Sequence, residues 1–264
     1  MQLINNSQEI IDIVKRVGKS FAGEFRQSII PSSKAEFDKA LQNIEDRCFS
    51  ALKDPIFHLY PEIPWAEDDE LSSIAQRTPF NDEAYWLCDT MDGAIQYLQH
   101  IAGWTINLAL IQNGEPVFSI IYDPTSDELF HAEKNKGVKL NGKGLTPNVK
   151  KSADIMIAVN EYGHQLKNDH LWKEKASSSY IDLLEKFGVI RNYGPHGLQL
   201  AYVAAGRIDL FVQTDLDTNN WLAGILILKE AGYSVLSMEG KTWIWGTEGL
   251  IAGSEQALEL YFKN

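Results

Sequence analysis

The sequence predicts an α/β fold of the layered α+β kind, on three observations. Helical spacing dominates residues 8–52, closely spaced strand runs with Asn-Gly turns fill 84–142, and strands alternate with helices from 155 onward. The 264 residues are 44% hydrophobic and 23% charged, close to the globular average, which excludes long disorder.

From Gln8 to Phe25, Ile10, Ile11, Ile13, Val14, Val17 and Phe21 recur at helical spacing with charges between them. Ser33 to Leu52 reads as a second helix, capped by Ser32 or Ser33, with Phe37, Leu41, Ile44, Cys48 and Leu52 along one stripe. Pro55, Pro61 and Pro64 predict a loop leading into the acidic run Trp65-Ala66-Glu67-Asp68-Asp69-Glu70. Ala84 to Cys88 is a short apolar strand that stops at Asp89. Trp104 to Gln112 and Val117 to Tyr122 flank Asn113-Gly114, a pair that tolerates the positive φ of a type I′ hairpin turn. Leu129 to Glu133 and Gly137 to Leu140 follow, with Asn141-Gly142 as a further turn, so this part reads as an antiparallel meander.

In the second half, strands are expected at 155–159, 189–192, 208–213, 233–236 and 250–253. Helices are expected at 169–187, 198–205, 219–231 and 255–262. Pro147 and polar residues between Thr146 and Ala153 mark a boundary. It divides residues 1–148, helices plus an antiparallel sheet, from residues 149–264, an α/β half with a mixed sheet.

Lys and Arg number 24 against 36 Asp and Glu, a net charge of −12, so neither a nucleic acid nor an anionic membrane surface is the expected partner. No run approaches the roughly 18 apolar residues of a membrane span, and residues 1–25 lack the apolar core of a signal peptide. Cys48 and Cys88 are too few for a disulfide framework, and a cytoplasmic location is expected. No G-x-G-x-x-G, H-E-x-x-H, C-x-x-C or G-x-S-x-G occurs, and Gly240-Lys241-Thr242 fails as a phosphate loop because Val235 stands where its first glycine belongs. His100, His131 and His196 read as structural or surface residues.

The informative stretch is Trp86-Leu87-Cys88-Asp89-Thr90-Met91-Asp92-Gly93-Ala94. An apolar strand delivers two aspartates three apart, and a glycine follows. Mg²⁺ is held by one or two carboxylates plus water and substrate phosphate, so a strand end of this kind can face a cation. Gly93 lets the next amides approach an anion, and a helix from Ala94 onward would favour phosphate. An ordinary surface turn is the competing reading of the same residues.

Trp86, Asp89, Asp92 and Gly93 match W-x-x-D-P-x-D-G-T, the hallmark of the inositol monophosphatase family. The similarity continues through Ile106 to Leu110, Pro116 to Pro124, Glu128 to Ala132 and Gly137 to Gly142. It ends in Ala201-Tyr202-Val203-Ala204-Ala205-Gly206-Arg207-Ile208-Asp209 and Ala223-Gly224-Ile225-Leu226-Ile227-Leu228-Lys229-Glu230-Ala231-Gly232. In the right order from about Asp38 to the C-terminus, the chain resembles that family. The resemblance implies an αβαβα sandwich of the inositol monophosphatase and sugar phosphatase type. It also implies Mg²⁺-dependent hydrolysis of small phosphate monoesters of inositols, sugars or nucleotides, by enzymes that are often dimeric. Trp172, Trp221, Trp243 and Trp245 suit either such an interface or the core.

Carried over by resemblance, Glu67, Asp89 and the Met91 carbonyl hold a first Mg²⁺, with Asp68 and Asp69 as alternatives to Glu67. Asp89, Asp92 and Asn220 stand at the second site, where the family has aspartate in place of Asn220, so that site is expected to be weakened. Glu67, Asp89 and Asp92 are the catalytic acids, while Gly93, Ala94 and Gln213 face the substrate. Asp217 or Asp215 either replaces the missing carboxylate or is a loop or cap residue.

Other departures surround the same pocket. Ala94 replaces the threonine that positions water, and Leu41 aligns with that threonine's aspartate partner. Pro195 replaces a phosphate-side serine, Gln213 a hydroxyl-binding glutamate, and Gln96-Tyr97 an asparagine-phenylalanine pair. Two functions stay open: a Mg²⁺-dependent phosphomonoesterase, or a catalytically degenerate relative that binds a phosphorylated ligand or a protein.

Overall fold

The computed structural model describes residues 4–66, 76–80, 83–162 and 170–263, apart from the Trp172 side chain. Helix α1 (Ser7–Glu24) starts at Asn6, whose side chain accepts from the Gln8 amide, and buries the stripe Ile10, Ile13, Val14, Val17 and Phe21. Helix α2 (Lys34–Leu59) is capped by Ser33, which accepts from the Glu36 amide. Glu36 reaches back to the amide and hydroxyl of Ser32.

Here the structure departs from the expected loop, because α2 continues through Pro55. An interior proline costs about 3 kcal/mol through its missing N–H and its ring. The stripe Ile44, Cys48, Leu52 and Ile56 nevertheless stays buried across it, and tertiary packing offsets the local cost.

Strands β1 (Ala84–Asp92), β2 (Thr105–Gln112), β3 (Glu115–Asp123), β4 (Glu128–Glu133), β5 (Val138–Leu140) and β6 (Lys143–Gly144) form an antiparallel sheet in sequential order. Asn113 and Gly114 both take positive φ in the β2–β3 turn, as do Asn141 and Gly142 before β6. Helix α3 (Ala94–Leu98) follows β1 directly.

After a 3₁₀ turn at Ala153–Ile155, the second sheet contains β7 (Ile157–Glu161), β8 (Val189–Arg191), β9 (Leu210–Gln213), β10 (Ser234–Leu236) and β11 (Leu250–Gly253). Its order is β10-β11-β9-β7-β8, with β7 parallel to β8 and β9 and the other pairs antiparallel. Helices α4 (His170–Lys186), α5 (His196–Ala204), α6 (Thr218–Glu230) and α7 (Glu255–Phe262) complete the chain.

Alternation along each strand sorts these elements into layers. Trp86 faces the cluster built by α1 and α2, whereas Tyr85 and Leu87 face the cluster built by α5 and α6. Helices α5 and α6 therefore lie between the two sheets. Helices α4 and α7 cover the far side of the second sheet with Leu183, Phe187, Ala257 and Leu258. The result is the layered αβαβα sandwich. Trp221 and Trp243 are core residues, and Trp245 packs against the same cluster. No helix among the described residues is long and apolar enough to cross a membrane.

Candidate active site

The apolar run of β1 does not end at Asp89. The strand continues to Asp92 with a bulge, since Asp89 pairs with Asn107 and Asp92 with Thr105. In a regular strand, residues three apart point to opposite faces. One extra residue on the bulged strand reverses that alternation, so both aspartates oppose Asn107 and Thr105, which share a face of β2. The bulge is what makes the two carboxylates neighbours.

Asp92 is buried, and its Oδ2 accepts from Asn107 Nδ2 and from the Gly197 amide, both at 2.8 Å. The second bond ties β1 to the first turn of α5. Asp89 accepts from the Met91 amide at 3.2 Å. Burial first, and then the charge of Asp92, holds the Asp89 carboxyl well above the usual carboxylate range, with Glu45 and Asp217 acting in the same direction. Asn107 Oδ1 is buried without a hydrogen-bond partner beside this pair.

Half-buried Asp89, buried Asp92 and an orphaned amide oxygen form an all-oxygen donor set suited to a hard divalent cation. Among the described residues, no three His, Cys, Asp or Glu side chains gather as a metal site. Glu67, the third expected acid, and its alternatives Asp68 and Asp69 lie outside the described residues. Met91 is buried in β1 between the two aspartates.

Facing this strand end is a second acidic group at the start of α6. Asp217 occupies the N-cap position yet makes no side-chain capping bond. Its Oδ1 accepts from Asn220 Nδ2 at 2.9 Å and its Oδ2 from Gln213 Nε2 at 3.1 Å. Gln213 is fully buried, and its Oε1 accepts from Trp221 Nε1 at 2.9 Å. Gln213 also hydrogen-bonds Asp215, whose pKa burial raises. The Gln213 amide is thus held between an indole donor and two carboxylates inside the protein.

Gln213→Glu would turn an acceptor toward Asp217 and Asp215. We expect it to lower the stability of the metal-free protein by about 1–3 kcal/mol, the cost of a buried polar group without a partner. Calorimetric unfolding in chelator checks this, and an unchanged midpoint would contradict it.

Gly93 takes φ 88° and leads into α3. A Cβ on it would lie 3.0 Å from the Gly103 carbonyl and 3.3 Å from Pro195, so the turn is closely packed as well as left-handed. Ala94 is buried in the same apolar cluster against which Leu41 packs.

His196, read from the sequence as a structural or surface residue, stands close to this acidic group. It is half-buried and the first residue of α5, with Nδ1 3.6 Å from Asp217 and Nε2 4.0 Å from Glu161. Its signal was its place directly after Pro195, inside the segment that resembles the family's phosphate-side motif. Glu161 was missed, since the end of β7 carries no motif.

The chain matches the inositol monophosphatase family model over residues 6–264. It is 29% identical over 252 residues to an inositol-1-monophosphatase of Rhizobium meliloti, covering 93% of this chain and 88% of that protein. It is 25% identical over 241 residues to Nus factor SuhB of Escherichia coli K12, covering 89% of this chain and 85% of that protein. An IMPase from Thermotoga maritima superposes with a TM-score of 0.80 at 20% identity, over 98% of this chain and 97% of that one. A match that runs through the bulged strand end with Asp89 and Asp92, through the α5 turn that clamps Asp92, and on to the C-terminus makes this chain a member of the inositol monophosphatase family.

Proposed function

We propose that the protein hydrolyses a small phosphate monoester, of an inositol, a sugar or a nucleotide, using Mg²⁺ held at Asp89 and Asp92. One observation carries the reading: the β1 bulge sets both carboxylates on one face, where burial and the neighbouring Asp92 disfavour the charge of Asp89 unless a cation is present. When bound, Mg²⁺ supplies Lewis acidity toward the phosphate and lowers the pKa of a water for in-line attack.

The chain's own residues do the rest. Asp92 is fixed by Asn107 and the Gly197 amide, so its free oxygen keeps one direction. Glu67 and the Met91 carbonyl complete the first set of ligands, by resemblance to the family pattern. The Gly93 and Ala94 amides, at the left-handed turn, meet the phosphate. Asn220 offers a neutral oxygen where a carboxylate is expected, and its amide is turned to Asp217, so a second cation is held weakly.

A second reading draws support from Ala94, Pro195 and Asn220: a member that binds a phosphorylated ligand or a protein without turnover. The relatives' names divide in the same way, one an inositol-1-monophosphatase and another a Nus factor. The deciding assay is Mg²⁺-dependent phosphate release from a panel of inositol, sugar and nucleotide monophosphates, with Asp89→Asn as baseline. We expect turnover above that baseline. We also expect Ala94→Thr with Asn220→Asp to raise it by about 10–10³-fold, the scale of one restored proton-handling or water-positioning group. Turnover equal to the baseline would leave the binding reading in its place.

A further inference from the structure

We propose that Gln76 is a positioning residue for the cation site: it caps helix α6 from outside the helix, and so leaves the Asp217 carboxylate to hold Asn220 with its amide oxygen uncommitted. The inference rests on the phosphomonoesterase reading and adds the residue that prepares the neutral ligand of that site's second cation.

The first argument is the cap. The first amides of a helix have no partner within it, and the N-cap side chain ordinarily accepts from the second or third of them. In α6 the N-cap residue is Asp217, a favoured capping type, yet its side chain makes no such bond. The amide of Asn219, second in the helix, donates instead to Gln76 Oε1 at 3.0 Å, across 143 positions of sequence. The Asn220 amide donates to the Asp217 carbonyl at 3.2 Å. A residue far away in the chain thus does what Asp217 would otherwise do.

The second argument is how Asp217 is used. Its Oδ1 accepts from Asn220 Nδ2 and its Oδ2 from Gln213 Nε2. A capping rotamer would point the carboxylate at the first-turn amides, whereas here it is bonded across to Gln213 at the end of β9. With Nδ2 held, the plane of the Asn220 amide is set. Its Oδ1 makes no hydrogen bond among the described residues, and Asn220 is only half-buried, so this oxygen is left for a ligand.

The third argument is that Gln76 is itself anchored. The next carbonyl, that of Arg77, lies against Gly246, where a Cβ would overlap it. Arg77 Nη2 reaches Glu248 Oε1 at 3.3 Å. Beyond it the Phe80 amide donates to the Tyr85 hydroxyl at 3.2 Å, and the two rings meet edge to face. Residues 76–80 are therefore fastened both to the β10–β11 connection and to β1, the strand that carries Asp89 and Asp92.

The test uses the full chain and two variants. Gln76→Met keeps the length of the side chain and removes the acceptor, while Gln76→Glu keeps an acceptor and suits the positive end of a helix. Without Gln76, the Asn219 amide should draw Asp217 into the ordinary cap and away from Gln213. Gln213 also accepts from the Trp221 indole at 2.9 Å, so the Trp221 Nε1–H resonance, assigned with Trp221→Phe, reports that movement in metal-free protein. It should shift in Gln76→Met and return toward its wild-type position in Gln76→Glu. In calorimetry with Mg²⁺ and inorganic phosphate, Gln76→Met should weaken Mg²⁺ binding about 10-fold, the lower end for residues that orient a metal ligand. In an Asn220→Ala background the same change should have no further effect on Mg²⁺ affinity.

An equal loss in both backgrounds would mark a merely structural role and overturn the inference. An unmoved Trp221 resonance in a folded Gln76→Met chain would overturn it too, as would a wild type that binds no Mg²⁺. Turnover on the substrate panel decides the hydrolase reading separately. Absence of turnover, with Mg²⁺ affinity that depends on Gln76 only through Asn220, sinks the hydrolase and keeps Gln76 as the residue that positions the ligand.

Discussion

Asp89→Asn should abolish Mg²⁺-dependent phosphate release and, in the same preparation, make the metal-free protein more resistant to heat. On the proposed reading, the loss follows from removing one of two carboxylates that would hold the cation, which would provide several kcal/mol of transition-state stabilisation; at about 1.4 kcal/mol per tenfold, the rate should fall about 10³-fold or more. The gain follows from the Asp89 pKa, raised by burial and then by Asp92.

An acid whose folded pKa lies above its unfolded value binds more protons when folded between the two. Its contribution to stability is complete below the unfolded pKa and is lost as pH climbs through the folded one. Above the unfolded value the metal-free wild type therefore loses stability that the amide, which does not titrate, retains. Each kcal/mol recovered should raise the midpoint by about 2–4 °C in a chain of this size. Scanning calorimetry in chelator between pH 5 and 8 should show a smaller pH dependence for Asp89→Asn. A lower midpoint than wild type at pH 7 would mean that the carboxylate is stabilised by contacts within the protein and not reserved for a cation.

Gly197→Ala should act in the opposite direction on stability and reach the same site by another route. A Cβ at 197 would overlap Asn107, lying 2.8 Å from its Cγ and closer still to its Nδ2. Asn107 cannot withdraw freely, because that same Nδ2 donates to Asp92. The methyl group must push α5 away from β2 or break the Asn107–Asp92 bond, and either movement loosens the Gly197 amide from Asp92.

Overpacking of this kind costs about 1–3 kcal/mol. A midpoint several degrees lower in chelator, together with weaker Mg²⁺ binding by calorimetry, is the expected result. Adding Asn107→Ala should recover part of the stability and none of the Mg²⁺ affinity, because it makes room for the methyl group and deletes a donor to Asp92. Full recovery of both would show that Asn107 does not orient the carboxylate.

Much of the fold was legible along the chain. Asn113-Gly114 and Asn141-Gly142 marked turns because few other pairs accept two successive positive φ angles. Helices α4, α6 and α7 began and ended within a residue or two of their expected limits, since apolar spacing and the flanking Ser254 and Gly232 are local signals. Local signals failed at Pro55, where the burial of Ile56 outweighs a proline's preference, and at Asp89, where a change from apolar to acidic residues looked like the end of a strand.

The sequence by itself determined which residues offer candidate oxygen ligands, Asp89 and Asp92 above all, and which partners expected from the family resemblance are missing at Ala94 and Asn220. Tertiary structure alone decided their arrangement. Pairing with β2 introduced the bulge that turns Asp89 and Asp92 to one face. Packing of α5 against β2 brought Gly197 to Asp92 and set His196 among carboxylates from β7 and α6. The Asn220–Asp217–Gln213–Trp221 chain formed only where β9 ends and α6 begins. The physical reason is one of range: periodicity and turn chemistry act over a few neighbouring residues, whereas the electrostatics of a site is summed over groups that only the folded core brings together.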